Sequence, residues 1–302
     1  MLMSSGIGTE FIEFQYKDGF SVTKEVKSDY NENGFVIIRN LLDKDEVKLL
    51  GESFLHDEKL QENTWNQKEH GSSEFSASIS VWNHPGEDVS GMVCRSEKVV
   101  NIAEDLLDGG EIYMHHCKLV QKQAKTGGQW NWHQDYGYWY QNGLLWPDAL
   151  TVFIAIDKCE KGNGCLQVIK RSHKCGRLDH KQVGDQQQAD TERVGWILEK
   201  LPVQFVELEP GDALYFHSNI LHTSGRNLSE NRRWAFLMAY TLKSNSPVSK
   251  TYESHLNMHY TPLNKVPNTA IKECKILSSE KGKDYLSPSK NIATCKHYDV
   301  QN

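Results

Sequence analysis

The chain has 302 residues, enough for one large domain with a sizeable core. Acidic side chains outnumber basic ones by 40 to 34, and the formal charge of −6 disfavours nucleic acid or an anionic membrane as a bulk electrostatic partner. No apolar run reaches the length of a membrane span, and the start lacks a basic-then-apolar leader pattern, so the expectation is a cytoplasmic protein.

The seven cysteines (Cys94, Cys117, Cys159, Cys165, Cys175, Cys274 and Cys295) contain no Cys-x-x-Cys pair. An odd number without metal or redox spacing is expected to be a set of reduced, mostly buried thiols. Asn227-Leu228-Ser229 matches a glycosylation sequon, read as chance without a secretory signal.

The first clear element is a helix from Lys24, stopped at Asn33-Gly34. Phe35 to Arg39 is a short apolar run that predicts a buried strand. Asp43 with Glu46 forms a capping-box pattern, and Val47, Leu49, Leu50 and Phe54 supply the apolar face of the helix it opens. Residues 56–92 are polar, punctuated by Gly71-Ser72-Ser73 and Asn83-His84-Pro85-Gly86, with Trp65, Phe75 and Trp82 scattered through them. They are expected to form a long loop that acts as a lid. Ser96 to Leu107 predicts a further helix, ended by Gly109-Gly110.

From Ile112 the pattern changes to short strands. Tyr113 to Lys122 alternates, with His116, Lys118, Val120 and Lys122 on one face and His115, Cys117, Leu119 and Gln121 on the other. Lys122 is expected to be solvated at the strand end. Ala149 to Ile156 is the strongest strand signal; Gly162-Asn163-Gly164 marks a turn, and Cys165 to Ile169 another strand. Residues 176–200 predict a polar excursion with a helix over 189–200. Strands follow at Val203 to Leu208, Ala213 to Phe216 and Arg233 to Leu242. Helices first and then strands at regular spacing predict one domain over 1–302: a mostly helical part with the lid (1–110), a two-sheet barrel or sandwich with helices outside (111–242), and an extension that wraps it (243–302). The last dozen residues are expected to be disordered.

The stretch Trp130 to Tyr140 holds the chemistry. Residues two apart on an extended backbone face the same way, so His133 and Asp135 present an imidazole and a carboxylate to one point. One distant His would complete a two-His-one-carboxylate face, which suits non-haem Fe(II) with open positions. Of the 13 histidines, His222 is the best placed: it follows the Pro210-Gly211-Asp212 turn and a strand, and Arg233 stands eleven residues on. If their strands are neighbours, Arg233 lies near His222 and deeper in the barrel. A buried guanidinium needs an anion, and a carboxylate fits its fork. Three open metal positions plus such an anchor suit a 2-oxo acid. On spacing alone, a hydrogen-bonded surface or core histidine at 133 stays open as the alternative.

The order Asn33-Gly34-Phe35-Val36-Ile37, Trp132-His133-Gln134-Asp135, Asn163-Gly164-Cys165-Leu166, Ser172-His173, Leu221-His222-Thr223-Ser224-Gly225-x-Asn227 and Arg233 resembles the phytanoyl-CoA dioxygenase family of Fe(II)/2-oxoglutarate oxygenases, which includes the ectoine hydroxylases. The resemblance runs from about residue 30 to 240. It implies a mainly β fold with flanking helices around a double-stranded β-helix (jelly-roll, cupin-like) core. It implies iron on His133, Asp135 and His222, and the distal carboxylate of 2-oxoglutarate on Arg233, with Ser224 and Thr151 at further carboxylate-binding positions. O2 and 2-oxoglutarate would react at the iron to give succinate, CO2 and a hydroxylated substrate. Lys170-Arg171 stands where the family usually has Pro-Gly before Ser-His, which puts the shape of one turn in question. His116 and Val120 stand where ectoine hydroxylases have a substrate-binding Gln and Asn, so ectoine is disfavoured. Asp135 disfavours halogenation, because halogenating relatives have a small residue there.

For the substrate side, the candidates are His116, Lys118, Tyr136, Tyr138, Trp139 and Trp82. His173, His180 and His217 are read as structural. The leading expectation is hydroxylation of a small polar metabolite. The alternatives are an oxygenase of an acyl-CoA or lipid-like substrate, and a non-catalytic jelly-roll that binds a ligand.

Overall fold

The computed structural model describes residues 13–68, 75–248, 263–279 and 281–286. Strand β1 (Glu13–Gln15) runs parallel to β2 (Phe35–Arg39), and α1 (Lys24–Asn33) lies between them in sequence. Thr23 caps the helix through its hydroxyl, and Gly34 ends it at φ 85, a left-handed conformation that a Cβ would also block against His173. Helix α2 (Lys44–Leu55) begins with the predicted capping box: Asp43 accepts from the Glu46 amide, and Glu46 accepts from the Asp43 amide. Only part of its predicted apolar face is fully inside: Leu50 and Phe54 are buried, Val47 and Leu49 half-buried.

Residues 56–92 are built rather than looped. They contain α3 (Glu58–Glu62), β3 (Trp65–Lys68), β4 (Phe75–Asn83) and the start of α4 (Val89–Arg95). Strand β4 pairs over 78–82 with β5 (Ile112–Lys122), and Trp82 is fully buried, stacked on Phe236 at 5.7 Å. The lid expectation fails here because alternating small and apolar residues (Ala77, Ile79, Val81) make β4 an internal strand. Gly71-Ser72-Ser73 lies outside the described residues. Helix α5 (Glu97–Leu106) follows the prediction.

After β5 come β6 (Trp130–His133), α6 (Asp135–Trp139), β7 (Ala149–Ala155), β8 (Leu166–Ile169) and the hairpin β9 (His180–Val183) with β10 (Gln186–Ala189). That hairpin occupies much of the predicted excursion. The helix there is α7 (Thr191–Leu198), shorter than expected because Asp190 caps it. Strands β11 (Val203–Val206), β12 (Ala213–His217), β13 (His222–Ser224) and β14 (Arg233–Leu242) complete the core. Helix α8 (Ala270–Glu273) and β15 (Asp284–Leu286) belong to the extension, and β15 pairs with β4. Of the predicted extension, α8 packs near α2 and α4 and β15 pairs with β4, while its last dozen residues lie outside the described residues.

Two sheets face each other in a jelly roll. The larger runs β1-β2-β12-β7-β14-β5-β4-β15, with β3 on β4; the smaller runs β11-β8-β13-β6. Buried side chains fill both faces of the larger sheet. Val36, Ile38, Phe236 and Met238 meet the helices, while Phe35, Ile37, Phe153 and Ala235 meet Leu166, Val168 and Val206 of the smaller sheet. Burial on both faces explains why β2 and β7 are continuous apolar runs rather than alternating ones. Six cysteines are free thiols among the described residues.

Candidate metal centre

His133 ends β6 and His222 begins β13, and the two are direct cross-strand partners. Their rings lie 4.1 Å apart, centroid to centroid. Asp135 opens α6, and its Oδ1 is 4.0 Å from His133 Nε2 and 3.8 Å from His222 Nε2. The ligand atoms of all three lie within 4.8 Å of one another, and all three residues are buried.

The second nitrogen of each ring decides what the first can do. His133 Nδ1 donates to the Asn131 carbonyl at 2.8 Å, and His222 Nδ1 donates to the Ile220 carbonyl at 3.0 Å. Each Nε2 therefore carries a lone pair turned to Asp135. Burial pushes both imidazoles below their ordinary range, so they stay neutral, the form that binds metal.

Asp135 is held from two sides: Thr151 Oγ1 donates to Oδ2 at 2.7 Å and Tyr138 Oη donates to Oδ1 at 3.1 Å. Thr151 thus has its hydroxyl on the carboxylate of the triad, a placement that spacing did not foresee. Tyr138 is the one member of the aromatic run that touches the triad. Gln134, between the two ligands, points the other way. Its amide donates to the carbonyls of Gly176 at 2.8 Å and Asn219 at 2.7 Å, and its Oε1 accepts from the Leu178 amide at 2.7 Å. Sequence reading passed over Gln134, although alternation along an extended strand places it opposite the ligands.

The triad opens into a cavity between the sheets. The larger sheet contributes Lys118, Val120, Phe153, Arg233 and Leu237, and the smaller contributes Trp130, Leu166, Thr223 and Ser224 beside the histidines. Strand β13 pairs with β6 and β8, and β14 pairs with β5 and β7, so the strands of His222 and Arg233 are not neighbours. Arg233 reaches the cavity from across the barrel. It is 2% exposed, and its Nη2 donates to the Gly164 carbonyl at 2.9 Å. Its Nε has no hydrogen-bond partner, and among the described residues no carboxylate pairs with it. A buried guanidinium with unspent donors facing a cavity fits a carboxylate ligand. The His-Asp-His donor set fits Fe(II).

The other candidates separate clearly. Lys118 lines the cavity. His116, Tyr136 and Trp139 do not: they are packed inside, His116 against Trp139 at 5.5 Å, and Tyr136 with its hydroxyl on the Leu145 carbonyl at 2.6 Å. Trp82 lies in the helix-side core, away from the cavity. These corrections share a cause, since large aromatics next to a ligand strand gain more from burial than from an open pocket. His180 is structural as read, accepting from the Gln134 amide at 2.9 Å; His173 bonds the Asn31 carbonyl at 3.1 Å, and His217 accepts from the Asn219 amide at 2.9 Å. Lys122 is fully buried, not solvated. Arg171, in the turn that departs from Pro-Gly, adopts φ 69. The turn has a left-handed backbone at this arginine.

The phytanoyl-CoA dioxygenase (PhyH) family matches residues 30–235. The chain belongs to the phytanoyl-CoA dioxygenase family. It is an Fe(II)- and 2-oxoglutarate-dependent dioxygenase by that membership. It is 31% identical over 180 residues to the L-proline trans-4-hydroxylase of Streptomyces griseoviridis, covering 54% of this chain and 67% of that one. It is 25% identical over 234 residues to the ectoine dioxygenase of Streptomyces avermitilis, covering 72% and 78%. The fold is similar to the apoform of EctD from S. alaskensis, with TM-score 0.69 and 20% identity over 85% of this chain and 92% of that one.

Proposed function

We propose that this member of the family hydroxylates a small polar metabolite at a centre formed by His133, Asp135 and His222. When bound, iron with 2-oxoglutarate and O2 supplies the oxidising power: 2-oxoglutarate becomes succinate and CO2, and a substrate C–H becomes C–OH. The protein's part is to hold and orient. The Asn131 and Ile220 carbonyls fix the two imidazoles, Thr151 and Tyr138 fix the carboxylate, and Gln134 locks the turn between them. Arg233 takes the distal carboxylate of 2-oxoglutarate, with the Ser224 hydroxyl beside it. The observation that carries the reading is one cavity lined by both the ligand triad and a buried arginine with an unspent donor.

Lys118 is the substrate-side residue of choice. It lines the same cavity; burial lowers the pKa of its amine and Asp135 opposes that shift. A cation there favours a metabolite with an anionic group, such as an amino acid. The names of the relatives, a proline hydroxylase and ectoine dioxygenases, support a small polar substrate. His116 and Val120 keep ectoine itself disfavoured. Residues 1–302 are taken as one oxygenase domain, working in the cytoplasm on a small molecule, with neither nucleic acid nor membrane as partner.

The test is release of succinate from 2-oxoglutarate with Fe(II) and ascorbate, across a panel of amino and imino acids. Turnover is expected, lost in His133→Ala and Asp135→Ala, while Arg233→Ala raises the KM for 2-oxoglutarate far more than it lowers kcat. Failure of the wild-type chain to bind Fe(II) and to release succinate refutes the reading.

A further inference from the structure

Cys94 and Cys117 are 23 positions apart in the chain and touch in the core. Cys94 stands in the last turn of α4 and Cys117 in the middle of β5. Their Sγ atoms lie 3.5 Å apart, and neither residue is exposed to solvent. Met114 adds a third sulfur, its Sδ 2.8 Å from Cys117 Sγ. Other cysteines are placed differently: Cys159 and Cys165 belong to the core between the sheets, Cys175 is exposed and Cys274 half-buried. Spacing along the chain gives no sign of the 94–117 contact, because it matches no redox motif.

From this contact we propose that Cys94 and Cys117 are a modification site, a dithiol that peroxide converts to a disulfide, stapling α4 to β5. A disulfide holds its sulfurs about 2.0 Å apart, so the pair must close by about 1.5 Å. Cys117 has little movement to give, since β5 is paired there on both sides, to Trp82 of β4 and Met238 of β14. Cys94 has more. It is the second-last residue of a seven-residue helix, and Ser96 leaves that helix with extended backbone at ψ 139. The Tyr240 hydroxyl donates to the Cys94 carbonyl at 2.6 Å and keeps this turn beside β5. In the reaction one thiol sulfur attacks a peroxide oxygen, giving a sulfenic acid and one water. The second sulfur then displaces the hydroxyl as another water and forms the S–S bond. The two cysteines lose two electrons, the O–O bond takes them up, and both thiol protons end in water. Burial holds the Cys117 thiol well above its ordinary range and screens both sulfurs, so the reaction is slow and waits on local opening of α4. Lys118, the next residue on β5, faces the other way into the metal cavity, so the staple forms on the helix side and leaves the centre in place. Closing the loop between the two cysteines restrains the unfolded chain, and oxidation therefore stabilises the fold.

The experiment exposes the full chain to hydrogen peroxide for a day, with a chelator present so that iron does not turn the peroxide into radicals. Remaining thiols are then blocked, and the peptides are mapped by mass spectrometry without reductant. The expected product is a peptide pair joined through Cys94 and Cys117 that dithiothreitol separates. The linked protein should melt about 5 °C above the reduced one. Cys94→Ala should lose both the link and the gain in Tm. Sulfinic acid on either cysteine in place of the link, a sulfoxide at Met114 with both thiols intact, or two untouched thiols while Cys175 is consumed would each overturn the proposal. A linked protein whose Tm is unchanged or lower would overturn it as well. The wild-type chain carries the test by itself if Cys94→Ala does not fold.

Discussion

Thr151 shows how one hydroxyl changes role once its neighbours are known. It sits on the central strand β7, buried, and donates to Asp135 Oδ2 at 2.7 Å. A carboxylate aimed by a fixed donor binds metal with less loss of freedom than one that rotates. Thr151→Val keeps the shape and removes the donor. Fe(II) affinity is expected to fall about tenfold or more in a metal titration. At saturating iron, 2-oxoglutarate affinity should be unchanged. An unchanged Fe(II) affinity would return Thr151 to the role at the cosubstrate that its family position implies. Arg171 is the other residue-scale finding, since it carries a left-handed φ of 69 in a turn where the family usually has glycine. Its guanidinium pairs with Glu32 at 3.1 Å, and its amide donates to the Asn33 carbonyl at 2.9 Å, which offsets the backbone strain.

At the scale of elements, β5 is not the uniform alternating strand that the sequence predicts. Ala239 pairs with His116 but Tyr240 with Met114, so His115 is an extra, bulged residue. Before it, Ile112 and Met114 face the helices; after it, Cys117 and Leu119 do. The bulge turns Lys118, Val120 and Lys122 inward together. It also places both His115 and His116 against Trp139, at 4.8 and 5.5 Å. Helix α6 then packs on the hairpin through Gly137: a Cβ there would stand 2.0 Å from the His180 ring. His180 cannot step aside freely, because both of its nitrogens are bonded, to the Gln134 amide and the Leu178 carbonyl. Alanine would gain up to about 1 kcal/mol of helix propensity. The clash should outweigh that, with Gly137→Ala destabilising by about 1–3 kcal/mol in a denaturant titration. A variant as stable as the wild type would show that the α6–hairpin contact is loose.

The whole molecule carries many buried, neutral imidazoles, and that sets its response to acid. Burial pushes His115 and His180 down to about 4 and His217 to about 3, from an ordinary 6.5. Between those values and 6.5 the unfolded chain binds protons that the folded chain refuses. Stability is therefore complete above about pH 6.5 and falls as the pH drops toward 4. The expected Tm declines by several degrees from pH 7 to pH 5 in the metal-free protein, and replacing His217 with Gln should flatten the slope. An unchanged Tm over that range would mean that these histidines take up protons without unfolding. Across the same interior the two sheets divide the work at the centre. The smaller supplies the histidines, and the larger supplies Lys118, Thr151 and Arg233.

The sequence by itself determined what depends on spacing along the chain. The capping box at Asp43, the stop at Gly34, the apolar runs of β2 and β7, and the His133-x-Asp135 pair are all local, and each was legible from residue order alone. His222 and Arg233 were legible as members of a series of motifs, though not as members of opposite sheets. Only the tertiary structure decided which sheet each strand joins, that β4 is internal, that Lys122 is buried, and that Thr151 serves Asp135. The physical reason is that burial and hydrogen-bond partners belong to pairs far apart in sequence. A lysine at a strand end reads as solvated until the neighbouring strand is known to close over it. A tyrosine or tryptophan beside a ligand reads the same whether it faces a substrate or a core.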